Sequence, residues 1–106
     1  MAKKCVIIIV TCASRKEASE IIGVLLRKRL VACANILGNI HSRFWWMGRL
    51  DTANEVMVLC KTTAANFTSV SRAVKDIHSY KVPEIIAVPI VAGDKSYLEW
   101  IEDSVK

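Results

Sequence analysis

The chain has 106 residues, with 15 Lys or Arg against 10 Asp or Glu, so its formal net charge is +5. It is 53% hydrophobic and 24% charged, a composition that excludes an intrinsically disordered or a fibrous protein. A length near 100 residues fits one domain with one hydrophobic core. We therefore predict a single domain that spans residues 1–106.

Neither a membrane span nor a secretory signal is predicted. The longest apolar runs, such as Cys5–Val10 and Ile85–Val91, are far shorter than the roughly 20 residues that a membrane-spanning helix needs. The first of these runs is not followed by a small-residue cleavage site. We therefore expect a cytoplasmic protein without disulfides, and no cysteine pair has the C-x-x-C spacing of a zinc ribbon.

The first third of the chain predicts a strand and a helix. Cys5–Thr11 is a continuous, largely β-branched run, which is typical of a strand covered on both faces. Ser14 and Glu17 have the spacing of a capping box, so Ser14 is the expected N-cap. The helix that follows carries its apolar residues on one face, at Ala18, Ile21, Ile22, Leu25 and Leu26.

A long β-hairpin is predicted next. Strand chemistry resumes at residues 31–37, and Gly38-Asn39 indicates a bulge before the aromatic-rich segment 40–47. Residues 48–54 supply turn residues, and residues 55–62 form the returning strand.

The rest of the chain predicts a helix, a strand and a second helix. Thr63 is the expected N-cap of a helix with apolar residues at helical spacing. Residues 82–91 return to strand, and because Pro83 and Pro89 cannot donate to a β-ladder, this strand should lie at an edge or carry a bulge. Asp94 should cap a short C-terminal helix.

This element order predicts an α+β fold of the ferredoxin-like, or split βαβ, type with an added C-terminal helix. In that fold two helices cover one face of a four-stranded antiparallel sheet. The fold hosts enzymes, RNA-binding modules and regulators, so it does not decide the function.

The central hairpin is longer than the other strands and should project beyond them. It carries Phe44, Trp45 and Trp46 in succession. Because successive residues of a strand face opposite sides, Trp45 and Trp46 cannot both pack on one core. We therefore predict a symmetric oligomer in which hairpins cover one another. The alternative is a hairpin that curls over its own sheet.

Two places in the sequence are candidates for metal chemistry. The loop that begins at His78 gathers histidine, tyrosine, lysine and glutamate before a strand, although His78 also fits a cap at a helix C-terminus. Cys12 precedes a helix N-terminus, where the helix dipole, Arg15 and Lys16 should stabilise a thiolate. A thiolate and an imidazole together suit copper or zinc, whereas an inert cysteine is the alternative.

Other functional classes find little support in the sequence. It has no serine–histidine–acid arrangement, no Gly-rich phosphate loop and no paired carboxylates, so we do not predict an enzyme. The RNA-recognition motif shares the element order, but it stacks bases on aromatics of its central strands. Residues 5–11 and 55–62 contain no aromatic residue, so we expect no nucleic-acid partner. The basic clusters are read as solvated surface, with a functional basic patch as the alternative.

Several segments, taken together and in order, resemble the CutA family of divalent-cation tolerance proteins. They are Leu30–Ile36, Trp45–Leu50, Leu59–Thr62, His78–Ile86 and, in the closing helix, Tyr97–Ile101. The resemblance runs over nearly the whole chain.

The resemblance implies a tight homotrimer of ferredoxin-like subunits, similar in architecture to the PII signalling trimers. Phe44, Trp45 and Trp46 would then lie at the trimer interface. It also implies a role in tolerance of copper and other divalent cations. Clefts between subunits would gather a set of polar residues, namely Cys33, Lys61, His78, Tyr80 and Glu84.

The chain departs from the pattern of the family at three positions. Ser79 stands where the family usually has a proline, Val10 where some members have a copper-liganding cysteine, and Ile77 where some have a second histidine. His78 alone carries over, and Cys12 lies two residues after Val10. We therefore predict His78 and Cys12 as ligands of copper or another divalent cation.

Two functional hypotheses follow from the sequence. The leading one is a homotrimeric protein that binds divalent metal ions and acts in cation homeostasis. The alternative is a PII-like regulatory scaffold that binds a small anionic metabolite in its clefts, because Lys61 and the basic helix ends favour anions.

Overall fold

A computed structural model describes residues 4–106 as a four-stranded antiparallel sheet with three helices, which confirms the predicted α+β fold. Residues 1–3 of the predicted domain lie outside the described residues. The strands are β1 (Cys5–Cys12), β2 (Cys33–Trp46), β3 (Arg49–Thr63) and β4 (Ile85–Pro89), and the helices are α1 (Arg15–Arg27), α2 (Phe67–Ile77) and α3 (Lys95–Ser104). The sheet order is β2-β3-β1-β4, as the split βαβ topology requires.

The core lies between the sheet and helices α1 and α2. Alternate residues of β1 point into it because side chains alternate along a strand. The buried cluster joins both strands and helices and includes Ile8, Val10, Ala18, Ile21, Leu25, Val58, Cys60, Val70 and Val74. The predicted N-cap of α1 is confirmed, since the Ser14 hydroxyl accepts from the backbone N–H of Glu17 at 3.1 Å.

The hairpin of β2 and β3 is longer and its turn is tighter than predicted. The register runs from Cys33 opposite Lys61 to Trp46 opposite Arg49. The prediction of a turn over residues 48–54 is wrong, because 49–54 already belong to β3. Only Met47 and Gly48 connect the strands, both with positive φ, and this geometry suits a two-residue hairpin turn.

The bulge predicted at Gly38-Asn39 is confirmed. The pairing passes from Leu37 opposite Met57 to Ile40 opposite Glu55, so two residues of β2 oppose a single residue of β3. Glu55, which pairs with Ile40 just beyond the bulge, is buried, with 8% of the residue exposed.

Two further element boundaries differ from the prediction. Thr63 precedes a short 3₁₀ turn, Ala64–Asn66, without a side-chain capping bond, and α2 begins only at Phe67. The edge position of β4 is confirmed, but β4 covers only residues 85–89. Pro83 lies outside it and Pro89 ends it, because neither can donate to the ladder. Among residues 4–106, no helix has both the length and the apolarity to cross a membrane.

The tip of the hairpin is exposed. Trp45 is 71% exposed, Trp46 44% and Met47 85%. The described chain measures 46 Å along its longest axis and 26 Å and 22 Å along the others. The hairpin therefore projects from the sheet, and the alternative in which its tip covers its own sheet is wrong.

Candidate metal centre

Three potential metal ligands meet where β1 ends, α1 begins and α2 ends. Cys12 is the last residue of β1, Glu17 lies in the first turn of α1, and His78 is the C-cap of α2. One ligand atom from each residue lies within 4.8 Å of the others. The structure thus brings together Cys12 and His78, the two predicted ligands, and adds Glu17. We call these three residues the CEH cluster.

The hydrogen bonds of His78 fix its tautomer. Its Nε2 lies 2.8 Å from the backbone carbonyl oxygen of Thr11, which can only accept, so Nε2 carries the proton. Its Nδ1 then accepts from the backbone N–H of Tyr80 at 3.0 Å. Both ring nitrogens of His78 are therefore engaged in hydrogen bonds. The backbone N–H of His78 also donates to the carbonyl of Val74 at 2.9 Å, which ends α2.

Glu17 connects α1 to the loop after α2. Its Oε1 accepts from the backbone N–H of Ala13 at 3.1 Å, and its Oε2 accepts from that of Ser79 at 2.7 Å. Burial acts to raise the pKa of this carboxyl. The hydrogen bonds from Ser79 and Ala13 outweigh burial, so that the pKa of Glu17 lies below its ordinary value. Glu17 therefore offers a negatively charged oxygen that could act as a metal ligand.

The prediction of a stabilised thiolate at Cys12 is wrong. Cys12 is fully buried. Burial, followed by the charges of Glu17 and Glu55, raises the pKa of its thiol to about 11. These effects exceed the influence of the helix N-terminus and of Arg15, which is exposed to solvent. Cys12 is thus a protonated thiol that would have to lose its proton on binding a metal ion.

Tyr80 and Glu55 form a hydrogen-bonded pair beside the CEH cluster. The Tyr80 hydroxyl donates to Glu55 Oε2 at 2.9 Å, and the Tyr80 ring centroid lies 4.8 Å from that of His78. Burial, followed by the hydrogen bond to Glu55, raises the pKa of Tyr80 to about 12. Tyr80 therefore stays a neutral donor, and it gives the buried carboxylate of Glu55 a partner.

The other predicted cleft residues lie elsewhere in the chain. Cys33 faces Lys61 across β2 and β3, and its Sγ lies 3.7 Å from the Tyr97 hydroxyl. Lys61, the basis of the anionic-metabolite alternative, donates to the side chain of Asn35. Lys61 pairs with Ile7 of β1, which lies five residues before Cys12. Lys61 is therefore about 17 Å from Cys12 along the strand direction.

Glu84 is exposed, in the segment just before β4. Within one chain the predicted cleft residues thus do not form one group.

Glu17 is the cluster residue that the sequence did not indicate. Its spacing from Ser14 marks it only as a capping residue. Its bond to Ser79 spans 62 positions of sequence, so local patterns cannot reveal it. The available signal was weaker: a carboxylate in the helix turn next to a candidate cysteine ligand.

The potential ligands of the CEH cluster fit a metal ion that is intermediate between hard and soft, such as zinc or copper. Sulfur, imidazole nitrogen and carboxylate oxygen are ligands that zinc and copper accept. Zinc bonds of about 2.0–2.3 Å place tetrahedral ligand atoms roughly 3.3–3.8 Å apart. The 4.8 Å limit on the present separations therefore calls for a contraction of about 1.5 Å at most.

Comparison with known proteins places this chain in a family. The sequence profile of the CutA1 divalent ion tolerance protein family matches residues 6–104. The chain belongs to the CutA1 family. The family name refers to tolerance of divalent ions and to no enzymatic reaction.

Individual CutA relatives match over most of the chain. The divalent-cation tolerance protein CutA of Archaeoglobus fulgidus is 42% identical over 93% of this chain and 96% of its own length. Its counterpart in Thermus thermophilus is 36% identical over 92% of this chain and 95% of its own length. The chloroplastic protein CutA 1 of Oryza sativa is 34% identical, and this chain spans 57% of its length.

Solved CutA structures share the fold over the same extent. The Thermus thermophilus protein superimposes with a TM-score of 0.94 at 34% identity and covers 96% of this chain and 99% of its own. The Oryza sativa CutA1 structure gives a TM-score of 0.95 at 32% identity and covers 99% and 96%, respectively. The Archaeoglobus fulgidus CutA structure, described as periplasmic, gives 0.92 at 41% identity over 96% of this chain and 99% of its own.

Proposed function

We propose that this CutA1 protein binds divalent copper or zinc at the CEH cluster and acts in divalent-cation homeostasis. The family supports the general role in cation tolerance. One observation carries the site itself: a thiol, an imidazole and a carboxylate from three different elements lie within 4.8 Å of one another. Glu17 would supply a charged oxygen, His78 a nitrogen and Cys12, once deprotonated, a sulfur.

We also propose that the single-domain chain assembles as a homotrimer. The exposed aromatic tip of the hairpin supports this, because a long apolar arm needs a cover. Phe44, Trp45 and Trp46 would be buried between copies. Cleft residues that lie apart in one chain would then meet from different subunits, namely Cys33, Lys61, Tyr80 and Glu84.

The proposal places the protein in the cytoplasm. Its four cysteines are free thiols in the structure, the state that a reducing compartment maintains. Relatives described as periplasmic or chloroplastic occupy other compartments.

A calorimetric titration with Zn(II) and with Cu(II) tests the metal site. The unsubstituted chain is expected to bind about one ion per subunit. His78→Ala should weaken metal binding by at least about tenfold. Changing a residue that only orients a metal ligand already weakens binding about tenfold or more, and loss of the ligand itself should cost at least as much. The matched control is His41→Ala, which removes the other histidine from an exposed position on the hairpin. Equal binding by the chain and by His78→Ala would refute the site.

A further inference from the structure

The acceptor atom that holds the loop after α2 is also a candidate metal-binding atom. His78 Nδ1 accepts the backbone N–H of Tyr80 at 3.0 Å while Nε2 carries the proton. The carboxylate of Glu17 accepts a hydrogen bond from the backbone N–H of Ser79, the residue before Tyr80, at 2.7 Å. Two successive backbone N–H groups of the loop are thus bound by two members of the CEH cluster.

Metal binding at either nitrogen of His78 is incompatible with the bond to Tyr80. If the metal takes Nδ1, it uses the lone pair that now accepts the Tyr80 N–H. If the metal takes Nε2, the proton on Nε2 must leave. In the neutral ring it then resides on Nδ1, where it faces another N–H donor. In both cases the hydrogen bond from Tyr80 to Nδ1 is lost.

We propose that the CEH cluster is a metal-operated latch: binding of a divalent cation at His78 releases the loop at Tyr80. This inference rests on the proposed metal site and specifies its regulation. Glu17 does not need to release Ser79, because a carboxylate oxygen has a second lone pair for a metal ion. The metal ion therefore competes with a backbone N–H only at His78. The Tyr80 amide, which loses its acceptor there, reports this competition.

The released segment leads to an exposed surface. In the single chain, Lys81, Val82 and Glu84 are exposed, and they lie between Tyr80 and edge strand β4. The Tyr80 hydroxyl remains bound to Glu55, so the backbone moves while the end of the side chain stays fixed. The loop surface of the metal-bound protein therefore differs from that of the metal-free protein, and a partner could distinguish the two states.

Amide hydrogen exchange by NMR on the ¹⁵N-labelled chain, with and without saturating Zn(II), tests the latch. Zn(II) suits the measurement because it is redox-inactive. Exchange at the Tyr80 amide is expected to accelerate at least about tenfold on binding, because its acceptor is lost. The His78 amide is the internal control, since its bond to the Val74 carbonyl involves no cluster atom and its exchange should not change.

A variant and a parallel calorimetric measurement separate the possible outcomes. Cys12→Ala keeps the bond from Tyr80 to His78 but lacks one ligand, so the Zn(II) concentration that saturates the parent should leave its Tyr80 amide protected. Binding heat in the parent with unchanged Tyr80 exchange overturns the latch and leaves the metal site standing. Absence of binding heat overturns the metal site, and the latch falls with it.

Discussion

Replacement of Trp45 and Trp46 with glutamate is expected to convert the proposed trimer into single subunits of 11.8 kDa. Both indoles are exposed in the isolated chain, and as successive residues of a strand they face opposite sides of the hairpin. Burial of a large apolar side chain contributes about 1.5–3 kcal/mol. Two carboxylates in place of the two indoles remove this contribution and place charges in the interface without partners.

Sedimentation velocity measures this effect, and thermal unfolding should show a lower melting temperature for the variant. The matched control is Thr68→Glu/Ser69→Glu, which adds the same two charges at exposed positions in the first turn of α2. This control should sediment like the parent. If the double tryptophan variant keeps the parent's mass, the hairpin tip does not form the interface.

Alkaline pH is expected to destabilise the protein through Cys60, which is fully buried in the core. Burial, with a smaller effect of Cys33, raises the pKa of the Cys60 thiol from 9.0 to about 12. The folded state therefore keeps a proton that the unfolded chain has lost above pH 9. The resulting stabilisation is complete below pH 9 and is lost as the pH rises from 9 through about 12.

Chemical denaturation at several pH values, compared between the parent and Cys60→Ala, isolates this contribution. Between pH 8 and pH 10.5 the unfolding free energy of both proteins is expected to fall. The decrease should be about 2 kcal/mol larger for the parent than for Cys60→Ala. Val58→Ala is the control, since it removes atoms from an equally buried, non-titrating residue of β3 and should keep the parent's pH dependence. Parallel curves for the parent and Cys60→Ala would contradict the assignment.

The sequence predicted the elements where local chemistry decides them. The cap at Ser14 and the apolar face of α1 are set by residues within one or two turns. Residues 49–54 were misread because Asp51, Thr52 and Asn54 are polar. Their partners on β2 are aromatic or large, and pairing along the hairpin overrides the local turn preference.

The site was predictable in part for the same reason. His78 and Cys12 stand out by residue type and by their positions next to helix ends, and the structure brings them together. Glu17 did not stand out, because its bond to Ser79 depends on packing between distant segments. The ionisation of Cys12 was predicted wrongly, because burial and the carboxylates of Glu17 and Glu55 depend on the tertiary structure.

Ser79 gives the cluster a property that a proline at the same position would remove. Its backbone N–H donates to Glu17, and proline has no N–H. His78 has φ −73° and ψ 138°, a conformation that a following proline accepts. The conformation of His78 therefore does not require a serine at position 79, and the Ser79 N–H contributes a hydrogen bond that holds the loop against Glu17.

Sedimentation equilibrium of the unsubstituted chain at low micromolar concentration tests the central claim, that copies of the chain cover one another's hairpins. A trimer predicts a mass three times that of the 11.8 kDa subunit. A folded protein that sediments with the mass of one subunit would contradict the account, because its aromatic hairpin tip would then be stable in water without a partner.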